Sequence, residues 1–322
     1  MSGHPVDAIA RAVLYEGYLL YPYRPSAIKN RQRFNFGVLY PHDYDIEKEG
    51  SDRTRIQAEC PVQGTGETLL EISVRFLQLT ARYTEGSADP WLAAVEREAR
   101  LDVGRLGNLQ RSGARMEFGF PRIDPADPAG LSGSRVTGHS DAAVLGEIRA
   151  NVDEVRRDAY RLTIRVANLT SIGSASTRDE VLVRSLASAH IVIGVTGGEL
   201  VSLLDPPEPM RDLAISCANA GVWPVLVGEE GSHDCMLASP IILYDYPQIA
   251  AESPGDLFDG TEIDEILALR VLTMTDDEKR EARESDERAR QILDRTDALT
   301  PEHWARLHGT LRGLRKMTGT GR

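Results

Sequence analysis

The chain has 322 residues, 41% hydrophobic and 27% charged, the balance of a folded protein with a sizeable core and far from that of a disordered one. With 49 acidic against 37 basic side chains its formal net charge is -12, which argues against nucleic acid as a general partner because a polyanion is repelled over most of the surface. No stretch approaches the roughly 20 apolar residues of a membrane-spanning helix, the start MSGHPVDAIARAV lacks the regions of a signal peptide, and Cys60, Cys217 and Cys235 are odd in number and without a CxxC pair, so a cytoplasmic location with reduced thiols is expected.

Residues 8–40 hold two apolar, aromatic-rich stretches, AIARAVLYEGYLLYPY and RFNFGVLYP. The first reads as a short helix running into extended chain, and the second as a strand on its aromatic and β-branched content. The segment LLEISVRFLQL, residues 69–79, alternates as a strand after the turn GTGE. WLAAVEREARLDVGRL after Pro90 reads as a helix limited by Gly104 and Gly107, and RMEFGF at 115–120 as a strand. Residues 121–143, rich in proline and glycine, mark a boundary between halves.

Beyond that boundary RLTIRVANL alternates as a strand, and TRDEVLVRSLASA reads as a helix with Thr177 as N-cap and Glu180 three positions on, the capping-box pattern. HIVIGV, WPVLVG and PIILYDY read as buried apolar stretches. From Thr275 the charged run TDDEKREARESDERARQILDRTD reads as a solvated helix, and a final helix, EHWARLHGTLRGL, carries Trp304, Leu307 and Leu311 on one face. The expected fold class is α+β: an N-terminal β-rich domain over 1–125, a second α/β domain over 145–274 and C-terminal helices over 275–318. The related strands SVRF and TIRV suggest a weak duplication between the halves.

Four segments carry candidate chemistry. Arg24, Lys29, Arg31 and Arg33, interleaved with Tyr21, Tyr23, Phe34 and Phe36, form the strongest positive feature of an acidic chain and suit an anionic or carboxylate-bearing partner. The bland alternative is a surface loop whose arginines pair with the chain's own acids. His233, Asp234 and Cys235 are consecutive, so they point to opposite faces of extended chain and form no triad by themselves; a metal site there needs Cys217, Cys60 or His190 brought in by folding. Acids crowd positions 252 to 265 at a density that can hold calcium or magnesium, yet their spacing misses the twelve-residue calcium loop, and a capped helix start at Thr261 explains much of the pattern. Gly197 and Gly198 follow a strand but match no nucleotide-binding motif, so a close turn is expected.

Two stretches, VLYEGYLLYPYRPSAIKNRQRFNFGVLYP and ASPIILYDYPQIAAESPGDLFDGTEIDEILALRVLTMTDDEKREAR, resemble an uncharacterised bacterial protein family encoded alongside nickel-iron hydrogenases and their maturation genes. The similarity extends over most of the chain. It implies a role in hydrogenase assembly or support and brings no catalytic residues with it.

The function expected is therefore that of a non-enzymatic accessory protein that binds a hydrogenase subunit or a maturation factor. Its contact residues are expected among Tyr21, Tyr23, Arg24, Lys29, Arg31, Arg33 and Trp304, with no cofactor required. Two alternatives stay open: a metal-dependent enzyme or metal carrier using Cys60, Cys217, His233 and Cys235, and a self-assembling structural protein, for which a homo-oligomer is the natural state.

Overall fold

The computed structural model describes residues 5–15, 37–44, 53–82, 91–123, 142–173, 175, 177–248 and part of 275–298. These form a mostly antiparallel, sheet-rich α+β structure with few helices. In chain order the elements are α1 (Pro5–Leu14), β1 (Arg55–Arg82), β2 (Trp91–Arg105), α2 (Leu106–Ser112), β3 (Ala114–Pro121), β4 (Ala142–Arg156) and β5 (Ala159–Asn168). After these come α3 (Arg178–Leu182), β6 (Ala187–Leu200), α4 (Arg211–Ile215), β7 (Trp223–Leu226) and β8 (Cys235–Ser239).

All eight strands join one sheet in the order β3-β4-β5-β1-β6-β8-β7, with β2 also paired to β1. The 28-residue β1 is its axis: residues 55–63 pair with β5, residues 69–82 with β2, and β6 lies along the middle. Strands from either side of residues 121–143 thus share one sheet, and one core cluster draws on both.

Alternation explains why β1 can serve two neighbours. Ile56, Ala58, Cys60 and Val62, then Leu70, Ile72, Val74 and Phe76, all face the same buried core, while Gln57, Glu59 and Arg75 point the other way. Between the two runs the register against β6 shifts from Gly64 to Leu69. The irregularity requires glycine: a Cβ on Gly64 would lie 2.4 Å from Thr68 Oγ1, and one on Gly198 only 2.8 Å from the Gln63 carbonyl. Thr68 fills the gap by donating to the Gly197 carbonyl at 2.9 Å. The Gly197–Gly198 pair is therefore no loop turn, as its sequence suggested, but an irregularity inside β6, with Gly197 at a φ of 74°.

The core side of the sheet is closed by Leu106 and Leu109 of α2 and by an aromatic group of Phe76, Phe118 and Phe120. Buried Arg97 stands 5.3 Å from the Phe120 ring centroid and donates to Gln78 at 2.8 Å, and Gln78 in turn donates to the Pro121 carbonyl at 2.8 Å. On the opposite face α1 lays Val6, Ile9, Ala10 and Val13 over Val192, Val225, Val227, Cys235 and Leu237. Arg75 ties α1 down by donating to Asp7 at 2.5 Å.

Several expectations hold. The strand at 69–79 is present within a longer one, RMEFGF lies in β3, RLTIRVANL lies in β5 and HIVIGV lies in β6. The capping box is formed, with Glu180 N donating to Thr177 and Thr177 N to Glu180, although α3 spans only five residues.

Others are corrected. WLAAVEREARLDVGRL is not helical over most of its length but forms β2, paired residue by residue with β1 from Leu69 to Arg82. Fourteen cross-strand pairs outweigh the high helix propensity of Ala, Glu and Arg there. PIILYDY is not buried throughout: Ile241 and Leu243 pack inward while Ile242 and Tyr244 point to solvent. In RFNFGVLYP, among the described residues, only Leu39 makes bridges, to Arg53 and Leu186. Within 275–298, Lys279 pairs with Asp297 at 2.7 Å and Arg283 with Asp294 at 2.9 Å. Most of the segment expected to form the solvated helix, and all of the final helix expected after it, lie outside the described residues.

Candidate functional site

Of the side chains expected to bind a partner, Tyr21, Tyr23, Arg24, Lys29, Arg31, Arg33 and Trp304 lie outside the described residues, as does the acidic stretch 252–265. The other candidates are described, and the fold separates them. Cys60 is buried in the core on the inner face of β1. Cys235, on β8, is buried beneath α1 on the opposite face. The Cys217 thiol follows α4 and donates to the Leu213 carbonyl at 3.4 Å. The His233 Nδ1 lies 3.0 Å from the Leu200 carbonyl.

Among the described residues no three His, Cys, Asp or Glu side chains gather in a group able to hold a metal ion. Burial pushes the Cys60 thiol well above its ordinary range, Cys217 up to about 11 and Cys235 up to about 12. All three are therefore protonated at neutral pH, and the thiol is a far poorer ligand and nucleophile than the thiolate.

His190, on β6, is fully buried. Its Nδ1 donates to the Ser188 carbonyl at 2.5 Å and its Nε2 lies 3.4 Å from the Ser239 hydroxyl. Ser188 holds a left-handed φ of 52°, and its own hydroxyl is buried without a partner. Burial, with Arg75 nearby, lowers the His190 pKa from 6.5 to about 4 against the opposing pull of the Ser188 bond.

Between those two values the unfolded chain binds the proton and the folded chain does not. The contribution of His190 to stability is thus complete above about pH 6.5 and disappears as the pH falls towards 4, a loss on the order of 3 kcal/mol. Urea unfolding at a series of pH values should show this decline, and a His190→Gln variant should decline less over the same interval. Equal losses in the two proteins would remove the assignment.

On the solvent side of the β1–β5 pair, Glu59 is nearly buried and organises the chain after α4. Its Oε2 accepts from Ala218 N at 2.8 Å, and its Oε1 from the Gln57 amide at 3.2 Å and the Thr163 hydroxyl at 3.3 Å. Its backbone N–H donates to Asn219 at 2.7 Å. Arg161 Nε stands 4.0 Å from the carboxylate, too far for a hydrogen bond, and is buried without a partner, while its Nη2 donates to Ser216 at 2.6 Å. Nothing in the sequence singles out Glu59; its role comes from the register that sets residues 218–220 beside it.

The last site is apolar. The chain leaves β8 at Ser239, opposite Trp223, and returns at Tyr246, whose N–H donates to the Leu226 carbonyl at 2.7 Å. Residues 240–245 thus run around the Trp223 end of β7. Asp245 accepts from Leu226 N at 2.8 Å and from the Ser202 hydroxyl at 2.5 Å, which holds the turn. With Ile241 and Leu243 packed inward, Ile242 is 73%, Tyr244 85% and Trp223 42% exposed. Pro224 supplies no N–H, and the polar groups of Leu226 are already taken, so the β7 edge is closed to a further strand while its apolar side chains stay open. The sequence hides this surface because PIILYDY reads as one apolar run.

These sites and the sheet around them define a sheet-rich α+β protein with protonated, dispersed thiols and an exposed aromatic surface; among the described residues no helix is long and apolar enough to cross a membrane. Compared with known proteins, the chain matches no family model and no curated protein.

Proposed function

We propose that this chain is a non-enzymatic accessory protein that acts by binding a protein partner. The partners to test are a nickel-iron hydrogenase subunit and the hydrogenase maturation factors, a choice that rests on the family resemblance alone. The observation that carries the reading is the exposed Trp223, Ile242 and Tyr244 surface. Tyr and Trp are the side chains most enriched where one end must be desolvated by a partner while the other stays wet, and binding energy concentrates on such anchors. An isolated exposed apolar residue has no such meaning; here Ile242 and Tyr244 project from the run 240–245 that passes along β7, the strand that carries Trp223. The basic segment with Arg24, Lys29, Arg31 and Arg33 would add an electrostatic contribution to the same recognition.

Titration of the purified protein with hydrogenase subunits and maturation factors, one by one, tests this. Binding by one of them is expected, weakened roughly 30-fold or more in an Ile242→Ala, Tyr244→Ala double variant. Because both side chains face solvent, the folded stability of that variant should change by no more than about 0.5 kcal/mol per site. Binding by none of these proteins, or unchanged binding by the variant, would sink the reading.

A further inference from the structure

We infer that the outer face of the sheet, where β5 meets the start of β1, binds an extended acidic peptide segment that carries carboxylates at alternate positions. The site is separate from the Trp223 surface and does not rest on it. Alternation buries one set of side chains of β3, β4, β5 and the first half of β1 in the core. It turns Arg115, Arg149, Arg165 and Gln57 outward as a single cross-strand row. Arg149 stands directly opposite both Arg115 and Arg165, and like charges so placed cost stability unless an acid offsets them. Glu147 does this at one end of the row: its carboxylate accepts from Arg115 and from Arg149, and Arg115 also pairs with Glu117 at 2.6 Å.

Arg165, at the other end, has no such acid. Its Nε donates to the Gln57 side-chain oxygen at 2.6 Å, and the Gln57 amide in turn donates to the Ala218 carbonyl at 2.9 Å and to Glu59 at 3.2 Å. This chain of hydrogen bonds fixes the guanidinium. Its two terminal nitrogens keep no acceptor among the described residues, which leaves Arg165 charged, exposed and oriented in advance. Glu59 is committed elsewhere, to Ala218 N, Thr163 and Gln57. Arg55 lies diagonal to Arg165, opposite Ala167; it too is exposed and forms no ion pair among the described residues.

The spacing selects the ligand. Diagonal neighbours on a sheet are about 7–8 Å apart, and an extended peptide repeats the side chains of one face at about 7 Å, so successive outward carboxylates meet Arg165 and Arg55 in turn. The net charge of -12 does not forbid this, because at about 0.1 M salt charges more than about 10 Å away are screened and a short segment responds to the local cations.

Fluorescence anisotropy with the full-length protein and a labelled peptide of four Glu-Ser repeats tests the site. Binding is expected at about 50 mM salt and should weaken roughly tenfold by about 300 mM. An Arg55→Gln, Arg165→Gln double variant, checked for folding by circular dichroism, should lose affinity about tenfold or more. Either single variant replaces it should the pair not fold. Arg157→Gln, at a 95% exposed arginine outside the row, should bind as the wild type does, and so should the Ile242→Ala, Tyr244→Ala variant. Failure to bind the acidic peptide, equal binding of a peptide of Gln-Ser repeats or of a short oligothymidylate, or full affinity in the double variant would each overturn the inference.

Discussion

Replacing Phe76 with alanine is expected to destabilise the fold by about 3–5 kcal/mol, a large part of the 5–15 kcal/mol typical of a folded domain. Phe76 is fully buried, and its ring stands 5.9 Å from that of Phe118 and 5.6 Å from that of Phe120, centroid to centroid. Truncation removes the transfer free energy of the ring, leaves a cavity, and breaks two aromatic contacts at once. The site has little room to collapse, because Phe118 is itself wedged against the backbone: a Cβ on Gly146 would lie 2.2 Å from its ring. Urea unfolding followed by circular dichroism measures the change. A loss below about 1 kcal/mol would mean that these rings are not the centre of the core.

A Glu59→Ala substitution should cost about 2–4 kcal/mol, with a local signature that a simple loss of packing would not leave. The carboxylate accepts from Ala218 N, Thr163 and Gln57 and faces the buried Arg161 Nε, so its removal strands several polar groups and an uncompensated guanidinium. Arg161 is partly exposed, which keeps the cost below that of a fully buried broken pair. Hydrogen exchange at the Ala218 amide should quicken ahead of global unfolding. Glu59→Gln, which keeps the shape and one acceptor oxygen, should recover part of both effects. Unchanged protection at Ala218 in the alanine variant would show that the chain after α4 is held by other contacts.

How much of this was legible beforehand follows from the range of the interactions involved. The capping box at Thr177 and Glu180 was readable because it is closed within four residues. Strand β5 was readable because TIRV alternates and one of its faces is buried. Strand β2 was misread although EARLDV alternates as cleanly, since the good helix formers around it weighed more than the period. Its pairing partners on β1 lie from 9 residues upstream, for Trp91 and Arg82, to 36, for Arg105 and Leu69, and most fall outside a local window. The exposure of Ile242 and Tyr244 depends on Asp245 and Tyr246 reaching back to Leu226, a contact across about 20 residues that no composition reveals.

What the sequence determined by itself is local and additive: an acidic chain with a core-forming apolar content, strands wherever one face of a pleat is apolar, a capped helix start, and the absence of nucleotide-binding and calcium-loop motifs. What the tertiary structure decided is which of these faces meet. Register along β1 set Cys60 towards the core and Glu59 towards the segment after α4, and the cover of α1 buried Cys235 away from both. The physical reason is that a strand offers only two faces and two edges. Their partners are chosen by the summed burial of distant residues, a quantity that no single segment contains.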